Sequence, residues 1–537
     1  MKSLAQGAGV ILLFFALTVL MTWPQAAHMA TYVGNSDDPL LSIWRMAWIA
    51  HALPRFPLEL FNGNIFYPEP RTLAYSDAVV LQGLAGAPLI WSGVSVVTTY
   101  NWVLLGSIAL SGAAMWLYAF QLTGSRLAAL VAGIIFAFTP FRFDHLHHLE
   151  LQATMFIPLT LWWMERAFAS GRAIDVYGSV GSLVCQVLCG IYYAVFLGTA
   201  LLLIVPLRLY YMPPERRRAL IKPAVGALVV GAIVVVPYLL VYSANRGTLG
   251  DRSLYDVGLY SAEPDDYLAT PVDNLVHGIW SGPLGENERR LFPGFLALVL
   301  ALIGLFRFDR ARLTLVVLAA TGFIISLGLN TPLYGWLRAI GFPYSGLRVP
   351  SRAAILVCAA VAGLAALGWA SIESRLKWRT AVTTIVAGLL LFEYATRLNA
   401  WLVLPAQPPA VYTWLAEQPR SVVVQFPLST ADKLNIIHDS LYMLGSTVHW
   451  QPILNGYSGY FPKSFFELME YCETFPDERS VAYLKSRGVD LIVVHGGYMP
   501  PDRFGKMTAG LIERSDIETV AKFEEKFGPD VVFRLKR

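Results

Sequence analysis

Long apolar runs separated by short polar segments occupy most of the first 400 residues of the chain. Runs near 20 residues have the length that an α-helix needs to cross the hydrocarbon core of a membrane. The pattern predicts about eleven transmembrane helices, at residues 5–23, 98–120, 126–141, 152–168, 174–190, 192–209, 222–243, 291–306, 312–329, 351–371 and 379–396. A further apolar stretch at 79–95 is rich in glycine and proline, which indicates a re-entrant or interfacial segment.

Basic residues predict the orientation of these helices. With a cytoplasmic N-terminus, every second loop is rich in lysine and arginine and the intervening short loops are poorer in them. Short basic loops stay on the cytoplasmic side of a membrane. The non-cytoplasmic segments are then predicted at 24–97, 142–151, 244–290, 330–350 and 397–537. The first apolar run has no cleavage site of small residues after it, so we interpret it as an uncleaved helix.

Beyond residue 400 the hydrophobic pattern changes. Short buried strands are predicted at 421–426 and 490–495, with a helix at 476–488 that Asp477 caps and Gly488 ends. We therefore predict a mainly α, polytopic membrane protein. Its transmembrane domain covers residues 1–400, and an extracytoplasmic α/β domain covers residues 401–537.

Composition agrees with membrane embedding and excludes several function classes. The 537 residues are 55% hydrophobic and only 15% charged, whereas soluble proteins carry roughly 25% charged residues. A net charge of +4 is too small to predict a nucleic-acid partner. The chain has no G-x-x-x-x-G-K-[ST], H-E-x-x-H or G-x-S-x-G motif, which excludes ATP-driven, zincin and α/β-hydrolase chemistry.

An acidic pair, Asp37 and Asp38, directly follows the first predicted helix. Residues 40–53 after it are apolar with interspersed polar positions, which predicts an amphipathic helix in the membrane interface. Such a pair can act as a general base or bind a divalent cation. The alternative is a purely structural role: Asp-Pro commonly begins a helix, and one aspartate would then be the N-cap of that helix.

Two further outer segments carry polar chemistry. Residues 61–77 combine turn residues with aromatic and amide side chains, among them Asn64 and Tyr67, which suits either sugar recognition or a structural loop. Residues 141–152 hold three histidines and two carboxylates, including Asp144, His148 and Glu150. The spacing predicts that Asp144 and His148 share a helix face, as a metal site would use. The favoured interpretation is a polar helix start that faces a cavity.

Arg348 and Arg352 lie four residues apart at the predicted outer start of a helix. Guanidinium groups match phosphate geometry, and a helix N-terminus adds backbone donors. The pair predicts a cationic clamp for a phosphate, with lipid-headgroup anchoring as the alternative. In the C-terminal segment, residues 449–462 place aromatic rings around a tight turn, which fits either a ligand loop or an anchor to the membrane.

These motifs together resemble the GT-C superfamily of membrane glycosyltransferases. More closely, the chain resembles a bacterial polytopic group within or near that superfamily. The runs that carry the resemblance are Asp38–Leu41 with Trp44, Trp48 and His51, then Asn64–Pro68, Arg348–Arg352 and Asn455–Gly459. The group commonly has glycine before the aspartate, where this chain has Asp37.

The resemblance implies a reaction and site roles. It implies transfer of a sugar from a polyprenyl-phosphate-linked donor to a glycan, lipid or protein acceptor at the outer face of the bacterial inner membrane. Asp38 would be the base or would help hold a divalent cation such as Mg²⁺ or Mn²⁺, and Arg348 and Arg352 would neutralise the donor phosphate. The remaining candidates, Tyr67, His148, Glu150 and Asn64, would contact the sugar or acceptor, and the metal candidates are Asp37, Asp38, Asp144 and His148. A non-catalytic lipid-glycan flippase or an assembly scaffold is the alternative function.

Overall fold

The structure is a computed structural model that describes residues 2–34, 37–286, 288–307, 309–429 and 436–536. It divides the chain into two compact units. We call residues 1–29, 101–246 and 250–400 the helical body. We call residues 30–100, 247–249 and 401–537 the loop–tail unit, because it joins the first predicted outer loop to the C-terminal segment.

Helices account for most of the regular structure. In the first half of the chain they are α1 (Lys2–Met21), α2 (Asp37–Ala52), α3 (Val80–Trp91), α4 (Val96–Thr123), α5 (Arg126–Phe138), α6 (Pro140–Asp144), α7 (Leu149–Gln152), α8 (Phe156–Ser170), α9 (Ala173–Cys189), α10 (Ile191–Tyr210) and α11 (Pro214–Leu249). Up to residue 394 they continue with α12 (Leu254–Leu259), α13 (Gly278–Ser281), α14 (Phe295–Gly304), α15 (Arg310–Ser326), α16 (Pro332–Ile340), α17 (Ala354–Glu373) and α18 (Arg379–Tyr394).

The C-terminal segment mixes short helices and strands. After β1 (Tyr32–Gly34), these are β2 (Trp401–Val403), α19 (Ala410–Glu417), β3 (Val423–Phe426), α20 (Ile436–His449), α21 (Lys463–Tyr471), α22 (Glu478–Ser486), β4 (Leu491–His495), α23 (Pro501–Ile512), β5 (Ile517–Phe523) and β6 (Asp530–Leu535). Strands β3, β4, β6 and β5 form a four-stranded sheet in that order. The β3–β4 pair is parallel and the other pairs are antiparallel.

Helix α17 lies at the centre of the helical body and packs against α5, α14 and α15. Nearly all of its side chains are buried, and most of them are alanine, leucine or glycine. A Cβ added to Gly368 would lie 2.0 Å from the Leu300 carbonyl oxygen, and one on Gly304 would lie 2.1 Å from that of Leu364. Glycine therefore lets the backbones of α14 and α17 approach closely, as small residues do in membrane helix packing.

The chain is an integral membrane protein with several apolar helices. Among the described residues, five segments are long and apolar enough to cross a membrane: Val96–Thr123, Arg126–Asp144, Ile191–Tyr210, Pro214–Leu249 and Pro350–Glu373. The crossing predicted at 5–23 coincides with α1, which has 20 residues. The other predicted crossings coincide with helices of 10 to 17 residues, α8, α9, α14, α15 and α18. Helix α9, for example, has 17 residues, which at about 1.5 Å per residue gives roughly 25 Å against a core of about 30 Å. The number of eleven crossings and their orientation stay predictions.

The strand and helix predictions for the C-terminal segment are confirmed. Strands β3 and β4 lie inside the predicted ranges, and every residue of both is buried. Asp477 caps α22 by accepting a hydrogen bond from the Ser480 backbone N–H at 2.8 Å. Gly488, just after the helix, has a φ of +73°, the left-handed conformation that glycine adopts at helix ends.

One prediction for the first outer loop is wrong. Residues 40–53 were predicted to form an amphipathic helix in the membrane interface, but in α2 every side chain from Pro39 to Ala50 is buried. The helix packs against α3 and α20 in the loop–tail unit. Buried Arg45 donates within the unit, to the Asp77 carbonyl oxygen and to Ser42 Oγ. The stretch at 79–95, predicted as re-entrant or interfacial, forms α3 of this unit.

Candidate functional site

The acidic pair begins α2 in the loop–tail unit, and the C-terminal segment holds both of its members. Ser440 Oγ donates to Asp37 Oδ1 at 3.2 Å, and Tyr457 Oη donates to Asp38 Oδ1 at 3.1 Å. Both carboxylates are partly exposed. Burial raises the pKa of Asp37, and the neighbouring charge of Asp38 raises it further. The arrangement suits a proton acceptor, because a carboxylate with a raised pKa is the better base near neutral pH.

The structure describes only part of the start of α2, where one aspartate could serve as the helix N-cap. Both aspartates lie in the first turn of α2, where a negative charge is favourable beside the helix N-terminus. The position before Asp37 is Ser36, which lies with Asn35 outside the described residues. Because each carboxylate accepts a bond from a distant hydroxyl, the pair has tertiary partners beyond its own helix.

Two of the sequence motifs pair with each other beside α2. The Phe66 backbone N–H donates to the Asn455 carbonyl oxygen at 3.1 Å, and the Tyr67 N–H donates to that of Ile453 at 3.0 Å. The Ile453 N–H in turn donates to the Asn64 carbonyl oxygen at 2.8 Å. The Asn64–Pro68 run and the turn at 455–459 therefore form one hydrogen-bonded layer of the loop–tail unit.

The side chains of this layer differ in what they offer a ligand. Asn64 is buried, accepts from Trp44 Nε1 at 3.0 Å and donates to the Gln451 carbonyl oxygen at 3.1 Å. Its amide therefore stabilises the fold of this layer. Tyr67 is 36% exposed, so its ring presents a face on which a sugar could stack.

In the helical body, Arg352 is already paired with a carboxylate. Its Nε lies 2.6 Å from Glu288 Oε2 and its second terminal nitrogen lies 2.9 Å from Oε1. The guanidinium also lies over the Tyr192 ring, 4.9 Å from its centroid. The charge of Arg352 holds the pKa of Glu288 far below its ordinary value despite burial. The pair is therefore a buried, charge-neutral unit with bidentate geometry.

Arg348 has a different environment from Arg352. Its guanidinium lies 5.2 Å from the Tyr260 ring centroid, and its backbone N–H donates to Tyr192 Oη at 2.8 Å. Among the described residues no carboxylate lies within salt-bridge distance of this partly exposed side chain. Residues 350–353 form a 3-10 turn before α17, so the two arginines do not share a regular helix face. The site therefore has one paired guanidinium and one without a carboxylate partner.

The polar run at 141–152 does not form the continuous helix that its spacing predicts. Helix α6 ends at Asp144 and α7 begins at Leu149, so the expected four-residue helix faces are wrong. Gln152 Nε2 instead donates to the carbonyl oxygens of Arg142 and His145, at 3.0 and 2.7 Å, which closes the turn. Competition from these local hydrogen bonds outweighs helix continuation.

The candidates in this turn are mostly buried. Asp144 is partly buried and accepts a hydrogen bond from Arg290 at 3.1 Å, so part of the carboxylate that a metal would use is already bonded. His148 and Glu150 are buried. Burial also holds the pKa of His145 well below its ordinary value, so that ring is neutral next to Glu288, 3.8 Å away.

A family model described as a domain of unknown function, DUF6311, matches residues 5–335, more than half of the chain. This chain belongs to the DUF6311 family. No curated protein sequence matches it.

The solved structures similar to the DUF6311 chain include ArnT from Cupriavidus metallidurans, crystallised with undecaprenyl phosphate. The alignment covers 98% of each chain with a TM-score of 0.50 and 14% sequence identity. At that identity the likeness establishes a shared fold along the whole chain. It confirms, for the fold, the GT-C resemblance that the sequence motifs predict.

Sequence reasoning missed Glu288, which pairs with Arg352, and Ser440, which donates to Asp37. It also missed Asp439, the buried neighbour of Ser440, which bonds Asn455. Glu288 lies in a charge-rich run at 286–290 of a predicted outer segment, and that run is the signal that could have drawn attention to it. Asp439 and Ser440 lie inside α20 with no local pattern to mark them. Their partners are distant in sequence, so only the tertiary structure brings them together.

Proposed function

We propose that this DUF6311 chain is a glycosyltransferase that moves a sugar from a polyprenyl-phosphate-linked donor to an acceptor at the outer face of the membrane. The observation that carries the proposal is the likeness to ArnT over 98% of both chains, because that protein was crystallised with undecaprenyl phosphate. The acidic pair in the first predicted outer segment and the cationic residues in the helical body supply the groups that such a reaction needs.

The proposed reaction is a displacement at the anomeric carbon of the donor sugar. Asp38 accepts the proton of the acceptor hydroxyl while the oxygen of that hydroxyl bonds to the anomeric carbon. The bond between the carbon and the phosphate oxygen breaks, and polyprenyl phosphate leaves with the electron pair. General-base assistance of this kind typically contributes 10²–10⁴-fold to a rate.

Arg348 is the primary ligand that we propose for the donor phosphate. The leaving phosphate gains negative charge in the transition state, and a preorganised cation stabilises that charge. Arg352 adds positive charge to the same region, balanced by Glu288 until a phosphate competes for it. The two arginines then have unequal roles in place of a symmetric clamp.

A divalent cation fits the acidic pair chemically. Carboxylate oxygens are the ligands that Mg²⁺ and Mn²⁺ prefer, and the two aspartates are adjacent in the first turn of α2. Asp37 and Asp38 would hold such an ion, which would supply positive charge beside the reacting oxygen. Asp144 and His148 stay weaker metal candidates, because Asp144 is bonded to Arg290.

The remaining candidates divide by exposure. Tyr67 would offer its ring to a sugar or acceptor, since it is 36% exposed. His148 and Glu150, which are buried, stay candidates for contacts to the sugar. Asn64 would act by holding the Asn64–Pro68 layer in place, since its amide already bonds Trp44 and Gln451. The basic-loop pattern supports an extracytoplasmic C-terminal segment in the bacterial inner membrane.

The test is a transfer assay with the purified protein in liposomes. A panel of polyprenyl-phospho-sugars is supplied with bacterial membrane extract as the acceptor source, and released polyprenyl phosphate is measured. We expect release that requires both protein and acceptor. Movement of intact donor across the bilayer without cleavage would identify a flippase instead. Absence of both cleavage and movement would favour the assembly scaffold.

A further inference from the structure

Two neighbouring residues of α20 connect the C-terminal segment to the acidic pair. Ser440 acts directly, through its hydroxyl on Asp37 Oδ1. Asp439, the residue before it, is 1% exposed. Its Oδ1 accepts from Asn455 Nδ2 at 3.2 Å and its Oδ2 accepts from Ser429 Oγ at 3.0 Å. The backbone of Gly456 also donates to this carboxyl group.

These bonds fix the turn that carries Tyr457. Asn455 is held on its other side by β3, because its Oδ1 accepts from the Gln425 N–H at 2.8 Å and its Nδ2 donates to the Gln425 carbonyl oxygen at 3.0 Å. The Tyr457 N–H meets Met443 Sδ of α20 at 3.0 Å. The backbone of the turn is thus held from two elements, and the Tyr457 hydroxyl reaches Asp38.

The turn is closely packed at Gly456. A Cβ on Gly456 would lie 2.7 Å from the Phe66 ring, so the turn lies directly against the Asn64–Pro68 layer. Burial raises the pKa of Asp439 to about 7, and the charge of Asp37 is among the causes. Near neutral pH a large share of Asp439 is therefore uncharged and adds no full negative charge beside the acidic pair.

We propose that Ser440 and Tyr457, with Asp439 behind them, are positioning residues for the acidic pair, so that the C-terminal segment is a working part of the transfer site. This inference rests on the proposed function. Ser440 orients Asp37, Tyr457 orients Asp38, and Asp439 holds the turn from which Tyr457 projects. None of the three needs to touch substrate, since each acts through one of the two aspartates or through the turn.

The first test is a double-mutant cycle on transfer activity. Tyr457→Phe removes only the hydroxyl and should lower kcat about ten-fold, the effect of losing one hydrogen bond to a charged group, with the donor KM unchanged. In the Asp38→Asn background the same change should have little further effect, because the oriented carboxylate is already gone. Tyr471→Phe is the matched control: this tyrosine of α21 stacks on Tyr483 and should keep full activity.

The second test needs no transfer reaction. It is a double-mutant cycle on the thermal unfolding temperature of the purified protein, with Ser440→Ala and Asp37→Ala as the two changes. Ser440→Ala removes the hydroxyl that donates to Asp37 Oδ1, so it should lower the unfolding temperature. In the Asp37→Ala background the same change should lower it by clearly less, because the acceptor is already gone. Ser446→Ala, on the same helix with its hydroxyl on the Met443 carbonyl, should have the same effect in both backgrounds.

The two tests separate this inference from the proposed function. Wild-type protein that transfers no sugar, together with coupling between Ser440 and Asp37 in the unfolding temperature, would remove the proposed function and keep the positioning contacts. Active wild-type protein in which Tyr457→Phe has the same effect with and without Asp38 would overturn the inference. Additive effects of Ser440→Ala and Asp37→Ala on the unfolding temperature would also overturn it, whatever the transfer assay gives.

Discussion

Glu288 and Arg352 meet through both carboxylate oxygens, at 2.6 and 2.9 Å, in the interior of the helical body. A carboxylate in this bidentate geometry occupies the same donors that a phosphate would use. Glu288 has a φ of +60°, in the left-handed region that a non-glycine residue rarely adopts. The segment thus accepts backbone strain at the residue that neutralises Arg352.

Replacing Glu288 should therefore change both stability and phosphate binding. Glu288→Gln leaves Arg352 buried without its counter-charge, which should cost roughly 3–5 kcal/mol of unfolding free energy. The freed guanidinium should tighten binding of undecaprenyl phosphate several-fold, measured by titration in detergent. Glu263→Gln is the control, because its carboxylate is 61% exposed and lies 3.8 Å from Arg289. Unchanged affinity in Glu288→Gln would mean that Arg352 takes no part in binding the donor.

Arg348 should govern donor recognition. Arg348→Ala should raise the donor KM by about ten-fold or more while leaving the fold intact, because the side chain stacks on Tyr260 and has no carboxylate partner among the described residues. The donor KM of Arg348→Lys should lie between those of the wild type and Arg348→Ala, since lysine keeps the charge and lacks the planar guanidinium group. Exposed Arg397→Ala serves as the control. Equal KM values in all four proteins would remove Arg348 from the donor site.

Stability should depend on pH through Asp439. Its pKa is about 7 in the folded protein against 3.8 ordinarily. The unfolded chain therefore ionises first, and stability falls between about pH 4 and pH 7. The full effect above that pH is at most about 4 kcal/mol. Asp439→Asn should raise the thermal unfolding temperature at pH 8 and change it little near pH 4. An identical pH dependence in wild type and variant would contradict a protonated Asp439.

The close crossing of α14 and α17 should not accommodate a side chain at Gly368. Gly368→Ala places a methyl group where only 2.0 Å separates it from the Leu300 carbonyl oxygen, so the helices must move apart. We expect a loss of about 1–3 kcal/mol in unfolding free energy. Gly388→Ala on α18 meets nothing within 4 Å and should be neutral or slightly stabilising. Similar unfolding curves for the two variants would argue against close contact at Gly368.

Local sequence pattern predicted what depends on local interactions. The buried strands, the Asp477 cap and the Gly488 stop each follow from residues within a few positions of one another. The turn at 145–148 was missed because Gln152 bonds backbone carbonyls that a helix would otherwise use. The burial of α2 was missed because α20, about 400 residues later, supplies part of its cover.

In the candidate site, too, the sequence marked some residues, while others gain their roles only from the tertiary structure. Asp37 and Asp38 were recognisable as an adjacent acidic pair after the first helix. Arg348 and Arg352 were recognisable as basic residues in an outer segment that should have few of them. The partners of both pairs were not, since Glu288, Ser440 and Tyr457 gain their roles from contacts across 64 to 419 positions of sequence. Arg352 differs from Arg348 because it is paired with Glu288. The four-residue spacing of the two arginines could not predict that difference.

The central claim is that Asp38 is the base of a glycosyl transfer reaction, and Asp38→Asn tests it most directly. The amide keeps an oxygen that can accept the Tyr457 hydroxyl, so the fold should survive while proton acceptance is lost. Transfer from a polyprenyl-phospho-sugar should fall about 10²–10⁴-fold, with exposed Asp502→Asn as the control. Full transfer activity in Asp38→Asn, at normal expression, would contradict the account.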